Sequence, residues 1–269
     1  MAIPKIIHYC WFGNSEIPDE FKRYIESWKK FCPDYEIKLW NESNYDITKN
    51  TYMRQAYEQK KWGFVPDYAR LDIIYNEGGI YLDTDIEIVR SFDELLENEA
   101  FCGMEESSPN VALGLGFGAE KGNPIIKLLR DYYDEINFVD EEGKLNLTPS
   151  PQINAQVLKE LGYAPSEEIR KVQYENTSIT VYPKIYFCPM DFMSGELKMD
   201  ERTFSIHHYA ATWFTKKEKR LHEKRLKMTE RYGKEATDKY FARRNKWLRA
   251  MYYLRHPVLA AKKICEKLR

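Results

Sequence analysis

Apolar and polar positions alternate in blocks along the first hundred residues. Residues 3–11, Ile-Pro-Lys-Ile-Ile-His-Tyr-Cys-Trp, make a mostly apolar run that Phe12-Gly13-Asn14 closes, the pattern of a buried strand. Over 18–31, Phe21, Tyr24, Ile25 and Trp28 recur at helical spacing and predict an amphipathic helix. Pro33-Asp34 turns the chain, and 35–40 alternate as a second strand. This β-α-β opening predicts an α/β fold with a mostly parallel sheet. The loop 41–44 would then lie at the C-terminal end of a strand, where open α/β sheets bind ligands. Residues 52–61 read as a helix.

From Trp62 to Val89 the pattern becomes loop, helix, Gly78-Gly79, a short apolar strand Ile80-Tyr81-Leu82, and then Asp83-Thr84-Asp85. Leu71, Ile73, Ile74 and Tyr75 supply the packing face of the helix. Further on, 92–96 read as a short helix, 100–104 and 112–118 as strands, 124–136 and 153–161 as helices, and 177–182 and 185–188 as short strands. Gly114, Gly116 and Gly118 alternate without the strand-before, helix-after context of a dinucleotide loop. They predict a strand whose backbone lies close to a ligand or to a neighbouring chain. After residue 214 the pattern changes to basic helices at 216–232 and 236–253, broken at Gly233, and a shorter one at 257–268. We therefore divide the chain into a domain at 1–214 and a helical extension at 215–269.

Charge sharpens that division. The chain carries a net charge of −1, but residues 215–269 hold 19 Lys or Arg against 6 Asp or Glu, a balance of +13 that leaves −14 on the rest. A basic tail with interleaved aromatics suits an anionic membrane surface, and a solvated face on a packed helix would read the same way. No nucleic-acid motif accompanies it. The five cysteines are scattered without a Cys-x-x-Cys pair, the usage of reduced thiols in a cytoplasmic protein. The opening apolar run is too short for a signal peptide, and no run reaches a transmembrane length. A cytoplasmic protein is expected, peripheral on the inner face of the cell membrane if the tail binds lipid.

The candidate chemistry lies at 67–85. Asp67 and Arg70 stand one helical turn apart and share a face. If the backbone stays extended past Leu82, Asp83 and Asp85 project to one side, and two such acids are most simply used to hold Mg²⁺ or Mn²⁺ against a diphosphate. A lone Asp-x-Asp is more often a solvated turn, but here a buried helix and strand lead into it. His207-His208, followed by Trp213, is a second chemical stretch; adjacent histidines are commonly structural, one inward and one outward.

Asp67-x-x-Arg70 followed by Gly78-Gly79-x-Tyr81-Leu82-Asp83-x-Asp85 resembles the signature of DxD-motif glycosyltransferases. The match is to glycosyltransferase family 32, typified by yeast-type α-1,6-mannosyltransferases and bacterial capsule and lipopolysaccharide sugar transferases. The catalytic domains of clostridial glucosylating toxins are related. The first strand, Ile3 to Gly13, is similar as well. The resemblance covers 1–100 well, 101–215 loosely and the tail hardly at all.

That resemblance implies a GT-A type, Rossmann-like nucleotide-binding domain with a mixed, mostly parallel sheet. It implies a retaining transfer of a hexose from a nucleotide sugar to a saccharide or lipid-linked oligosaccharide, with Mn²⁺ or Mg²⁺ bound. On the matching residues, Trp11 would stack on the donor base, Asp67 would bond sugar hydroxyls, and Arg70 would pair with sugar or phosphate oxygens. Asp85 would bind the metal directly and Asp83 through water, while Tyr81 borders the donor. His208 sits where the toxins place an acidic metal ligand, and Trp213 would cover the donor phosphates. Ala211 replaces the toxins' further hydroxyl ligand. Gln152 and Asn154 are candidates to face the acceptor. Tyr81, His8 and Asn41 lie near and can be purely structural. The Trp11 pattern, shared with UDP-using toxins, favours UDP-glucose or UDP-galactose, and a short chain with a basic tail suggests a lipid-linked acceptor in capsule or lipopolysaccharide assembly. A GDP-mannose-dependent mannosyltransferase, a nucleotide-sugar phosphotransferase or hydrolase, and a non-catalytic nucleotide-sugar binding module are the alternatives.

Overall fold

The computed structural model describes residues 2–105, 110–210 and 215–255, apart from the side chains of 249 and 253–255. In chain order the strands are β1 (Ile6–Cys10), β2 (Glu36–Trp40), β3 (Gly79–Tyr81), β4 (Ile86–Ile88), β5 (Ala100–Met104), β6 (Val111–Ala112), β7 (Phe117–Ala119), β8 (Arg170–Tyr174), β9 (Thr177–Tyr182) and β10 (Ser205–His207). The α-helices are α1 (Asp19–Phe31), α2 (Thr51–Glu58), α3 (Pro66–Glu77), α4 (Pro124–Asp131), α5 (Ser150–Glu160), α6 (Lys184–Phe187), α7 (Lys216–Tyr232) and α8 (Lys234–Arg255). The strand expected at 185–188 is instead the short helix α6. The glycine-rich stretch at 112–118 breaks into β6, a 3₁₀ turn (Leu113–Leu115) and β7. The helix expected at 257–268 lies outside the described residues.

An eight-stranded sheet runs β2-β1-β3-β7-β5-β9-β8, with β6 paired to β5. The pairings β1 with β2, β1 with β3 and β5 with β9 are parallel; the other four are antiparallel. The sheet is thus mixed, and its parallel share is smaller than the β-α-β opening alone suggests. β4 leaves this sheet and pairs antiparallel with β10, with Ile86 opposite His207.

Strand alternation sorts the core onto the two faces. Cys10, Tyr81, Ala100 and Cys102 pack with side chains of α2, α3, α4 and α5 on one side. Ile7, Tyr9, Ile80, Leu82 and Phe101 pack with α1, β4 and Phe187 of α6 on the other. α1 fixes β4 directly: Trp28 Nε1 donates to Ile86 O at 2.7 Å, and Ile88 N donates to Ser27 Oγ at 2.9 Å.

The Gly78-Gly79 pair is required by space as well as by backbone angle. Gly78 caps α3 at φ 72°, its N–H returning to Ile74 O. A Cβ on Gly79 would meet Ile6 O at 2.8 Å and His8 Nε2 at 2.9 Å. The chain can therefore reverse out of α3 and drop directly into the sheet beside β1.

Contacts divide the chain into two compact units, Met1–Asp191 with Leu197–Trp213, and Phe192–Glu196 with Phe214–Arg269. Within the second, Arg225 ties α7 to α8 through Asp238 and lies over the Phe241 ring at 4.9 Å. The Phe192 ring stacks on His222 at 4.3 Å. No described helix is long and apolar enough to cross a membrane.

Candidate active site

The parallel register of β1 with β2 and β3 aligns Cys10 with Trp40 and His8 with Tyr81. Residues just past these strands, Trp11, Asn41 and Asp83, therefore gather at one edge of the sheet, where α/β folds place ligands. Trp11 is half-buried there; its Nε1 donates to Ser15 O at 2.7 Å and its ring meets Phe21 edge-on. Asn41 accepts from Ser43 N and Oγ and shapes its own loop.

α3 delivers the next two groups. Pro66 opens the helix, and Asp67 lies in its first turn, where the helix dipole favours an anion. Arg70, one turn on, places Nη2 3.0 Å from Asp67 Oδ1 and 3.5 Å from Asp83 Oδ1. Its Nε donates to Pro66 O at 3.1 Å, and the guanidinium lies 5.1 Å over the Tyr81 ring. Asp67 and Arg70 are both buried, whereas the Asp83 side chain is 34% exposed. Burial pushes the Asp67 carboxyl up to about 6; Arg70 and the Ser150 hydroxyl oppose this, and the charge of Asp83 adds to it. Ser150, the first residue of α5, is thus part of the site.

Gly114 completes this half. Asp83 N donates to Gly114 O at 2.9 Å, and a Cβ on Gly114 would fall 1.9 Å from Asp83 Oδ2 and 3.1 Å from Arg70 Nη1. The glycine run does mark a close approach of backbone, and what approaches is the carboxylate of the motif.

Asp83-Thr84-Asp85 is not extended strand. β3 ends at Tyr81, and Thr84-Asp85 turn the chain into β4. The two acids accordingly meet different partners. Asp85 Oδ2 accepts Ala210 N–H at 2.9 Å and lies 3.3 Å from His207 Nε2, while Asp85 O accepts His208 N–H at 3.0 Å. Tyr209 takes a left-handed backbone, φ 50°, between these contacts. Burial disfavours both ionised forms. The mutual attraction of Asp85 and His207 outweighs it, holding the carboxyl below its usual range and the imidazole well above its own.

Several expected placements change. His208 is turned away from Asp85: its Nε2 is 2.8 Å from Glu87 Oε2 and its ring stacks on Tyr24 at 4.4 Å. The histidine beside Asp85 is His207, because β10 pairs with β4 in the register that sets His207 opposite Ile86. Tyr81 is fully buried between Arg70 and Phe117 and is not open to a donor. Asn154 is buried, its Nδ2 donating to Val111 O, so it does not face an acceptor; Gln152 is exposed. His8 is a core residue whose Nε2 meets Gly78 O at 2.9 Å and whose Nδ1 accepts Trp40 Nε1–H at 3.0 Å. Trp213 and Ala211 lie outside the described residues.

Among the described residues no three His, Cys, Asp or Glu side chains converge as a ready-made metal cluster. The donor chemistry of Asp83, Asp85 and His207, two carboxylates and an imidazole whose proton a cation would have to displace, nevertheless suits Mg²⁺ or Mn²⁺.

Residues 18–102 match the glycosyltransferase sugar-binding region containing the DXD motif. The chain carries that region. Asp83 and Asp85 are its two acids, and Asp67 and Arg70 fall within the same span. Inositol phosphoceramide mannosyltransferase 3 of Schizosaccharomyces pombe is 33% identical over 129 residues, covering 46% of this chain and 35% of the relative. Mannosyl phosphorylinositol ceramide synthase SUR1 of Saccharomyces cerevisiae is 30% identical over 144 residues, covering 51% and 37%. The match spans about a third of the length of each of these relatives. Among solved structures, the PaToxG glycosyltransferase aligns at 22% identity and TM-score 0.45, covering 59% of this chain and 70% of that one. A glycosyltransferase involved in glycosylation of the major capsid of PBCV-1 aligns at 12% and 0.46, covering 84% and 100%.

Proposed function

We propose that this chain is a metal-dependent, retaining glycosyltransferase of GT-A type, moving a hexose from a nucleotide sugar to a saccharide or lipid-linked acceptor. The observation that carries the reading is Arg70, buried and shared between Asp67 and Asp83, with Asp85 two residues past Asp83 and paired with His207 of β10. Asp67 and the Ser150 hydroxyl offer acceptors and a donor to sugar hydroxyls from within a dry wall. Arg70 offers a planar guanidinium, suited to sugar or phosphate oxygens. Trp11 supplies a ring for stacking on the base, which does not by itself choose the nucleotide. Asp83, Asp85 and His207 would hold the divalent cation, whose chemistry is to neutralise charge on the departing diphosphate.

The Trp11 pattern favours a UDP-hexose, and the basic extension favours a lipid-linked acceptor in capsule or lipopolysaccharide assembly. The mannosyltransferase names of the fungal relatives favour GDP-mannose instead. Nucleoside diphosphate release from a panel of UDP-, GDP- and ADP-sugars with Mn²⁺ decides between them. The expected result is hydrolysis of one donor and a rise in melting temperature with that donor and metal together. No turnover and no stabilisation by any donor would remove the reading. Stabilisation without turnover, even with acceptors supplied, would leave a binding module. We further propose a cytoplasmic protein, peripheral on the inner face of the cell membrane where the basic extension binds lipid.

A further inference from the structure

α8 is chemically lopsided. Its two acids, Glu235 and Asp238, lie in its first five residues, and from Lys239 to Arg255 there are six Lys or Arg and no Asp or Glu. Ala236, Tyr240, Arg243 and Trp247 follow one another at spacings of four, three and four, which sets them on one face. With Lys239 and Arg244 they line a groove of about 520 Å³. The face that packs inward is a different one, carried by Thr237 and Phe241.

The outward face keeps apolar surface in water. Trp247 is 61% exposed and Leu248 42%. Arg243 and Lys246 meet no carboxylate among the described residues. Tyr240 is not free to stack on a base, because its hydroxyl takes Lys224 Nζ–H at 2.9 Å and its ring packs edge-on to Phe241 at 5.3 Å. An exposed indole and leucine beside cations without a carboxylate partner among the described residues fit a surface that is anionic at its rim and apolar just beneath.

We propose that the Tyr240–Arg243–Trp247 face of α8 is the surface on which this protein seats against an anionic phospholipid bilayer. This deepens the membrane reading of the extension given above and rests on it for the class of surface. Trp247 enters the headgroup region, Arg243 and Lys246 pair with lipid phosphates, and α8 lies along the membrane plane.

The test is sedimentation of the full chain with phosphatidylcholine vesicles, with and without phosphatidylglycerol. Binding is expected only with phosphatidylglycerol present, and high salt should weaken it. Arg243→Glu should weaken partition by roughly tenfold or more, and Trp247→Ala by several-fold. Both side chains are exposed, so both variants should fold. Lys219→Glu, an equal charge change on α7, should lose less. If Lys219→Glu is as damaging as Arg243→Glu, the placement on α8 is wrong and a membrane-bound extension survives. If anionic vesicles do not retain the chain, or neutral ones retain it equally, both fail. Retention of a single-stranded RNA probe in place of vesicles overturns both as well.

Discussion

Gly114 and Asp83 are packed so closely that the glycine has no room for a single added carbon. A Cβ there would sit 1.9 Å from Asp83 Oδ2, while the Gly114 carbonyl holds the Asp83 N–H at 2.9 Å. Gly114 does not lie at positive φ, so alanine meets no backbone penalty and its effect falls on the carboxylate. Gly114→Ala should lower turnover by about 100-fold or more by displacing Asp83 from Arg70. Its melting temperature should fall only modestly. Full activity in a folded Gly114→Ala variant would detach Asp83 from the chemistry.

Arg70 separates charge from shape. Arg70→Lys keeps the cation but loses the planar fork that reaches two carboxylates and the Pro66 carbonyl. We expect kcat/KM to drop by roughly 100-fold. Arg70→Ala should in addition destabilise the protein by about 3–5 kcal/mol, because it strands the buried Asp67. Denaturant melts of the two variants, beside their kinetics, check both statements.

His207 and His208 should respond very differently to alanine. His207→Ala should raise the Mn²⁺ concentration for half-maximal activity by at least roughly tenfold. His208→Ala removes a stack on Tyr24 and a contact with Glu87, and should shift it little. A metal titration of each variant reads this directly, and equal shifts would contradict the assignment of His207.

His8 gives the fold a pH dependence of known sign. Burial lowers its pKa from 6.5 to about 4, against the contrary pull of the Gly78 carbonyl. Between those values the unfolded chain binds a proton that the native chain refuses. The contribution is therefore complete above pH 6.5 and is lost as pH falls toward about 4. At pH 5 the loss from this residue is on the order of 2 kcal/mol. His8→Gln should be less stable at pH 7 yet lose less between pH 7 and 5. Urea unfolding at the two pH values measures the difference, and parallel losses in both proteins would refute it.

The local parts of this fold were legible in the sequence. The strand at 6–10, the helix from 19 to 31, the Gly-Gly break after α3 and the two basic helices follow from periodicity and punctuation, which act over a few residues. Long-range pairing was not. The exit of β4 toward β10 joins residues some 120 apart, and only that register decides that His207 and not His208 faces Asp85. Extended backbone through Asp83–Asp85 was a fair reading of a β-prone run, but the chain turns there so that β4 can reach α1. The importance of glycines at 114–118 was visible; that Gly114 makes room for Asp83 depended on the 3₁₀ turn at Leu113–Leu115. Ser150 carried no local signal, since its role comes from where α5 begins relative to α3.

Asp83 is fastened to the large sheet's surroundings through Gly114 and Arg70, and Asp85 to the two-stranded sheet through His207 and Ala210. Thr84 alone separates them along the chain. Any ligand grasped by both acids therefore acts as a cross-link between two pieces of backbone that are otherwise distant in sequence. Occupancy of this site and the rigidity of the 205–210 strand end become one quantity. Amide exchange at His208 and Ala210, whose N–H groups both rest on Asp85, would report it without any assay of turnover.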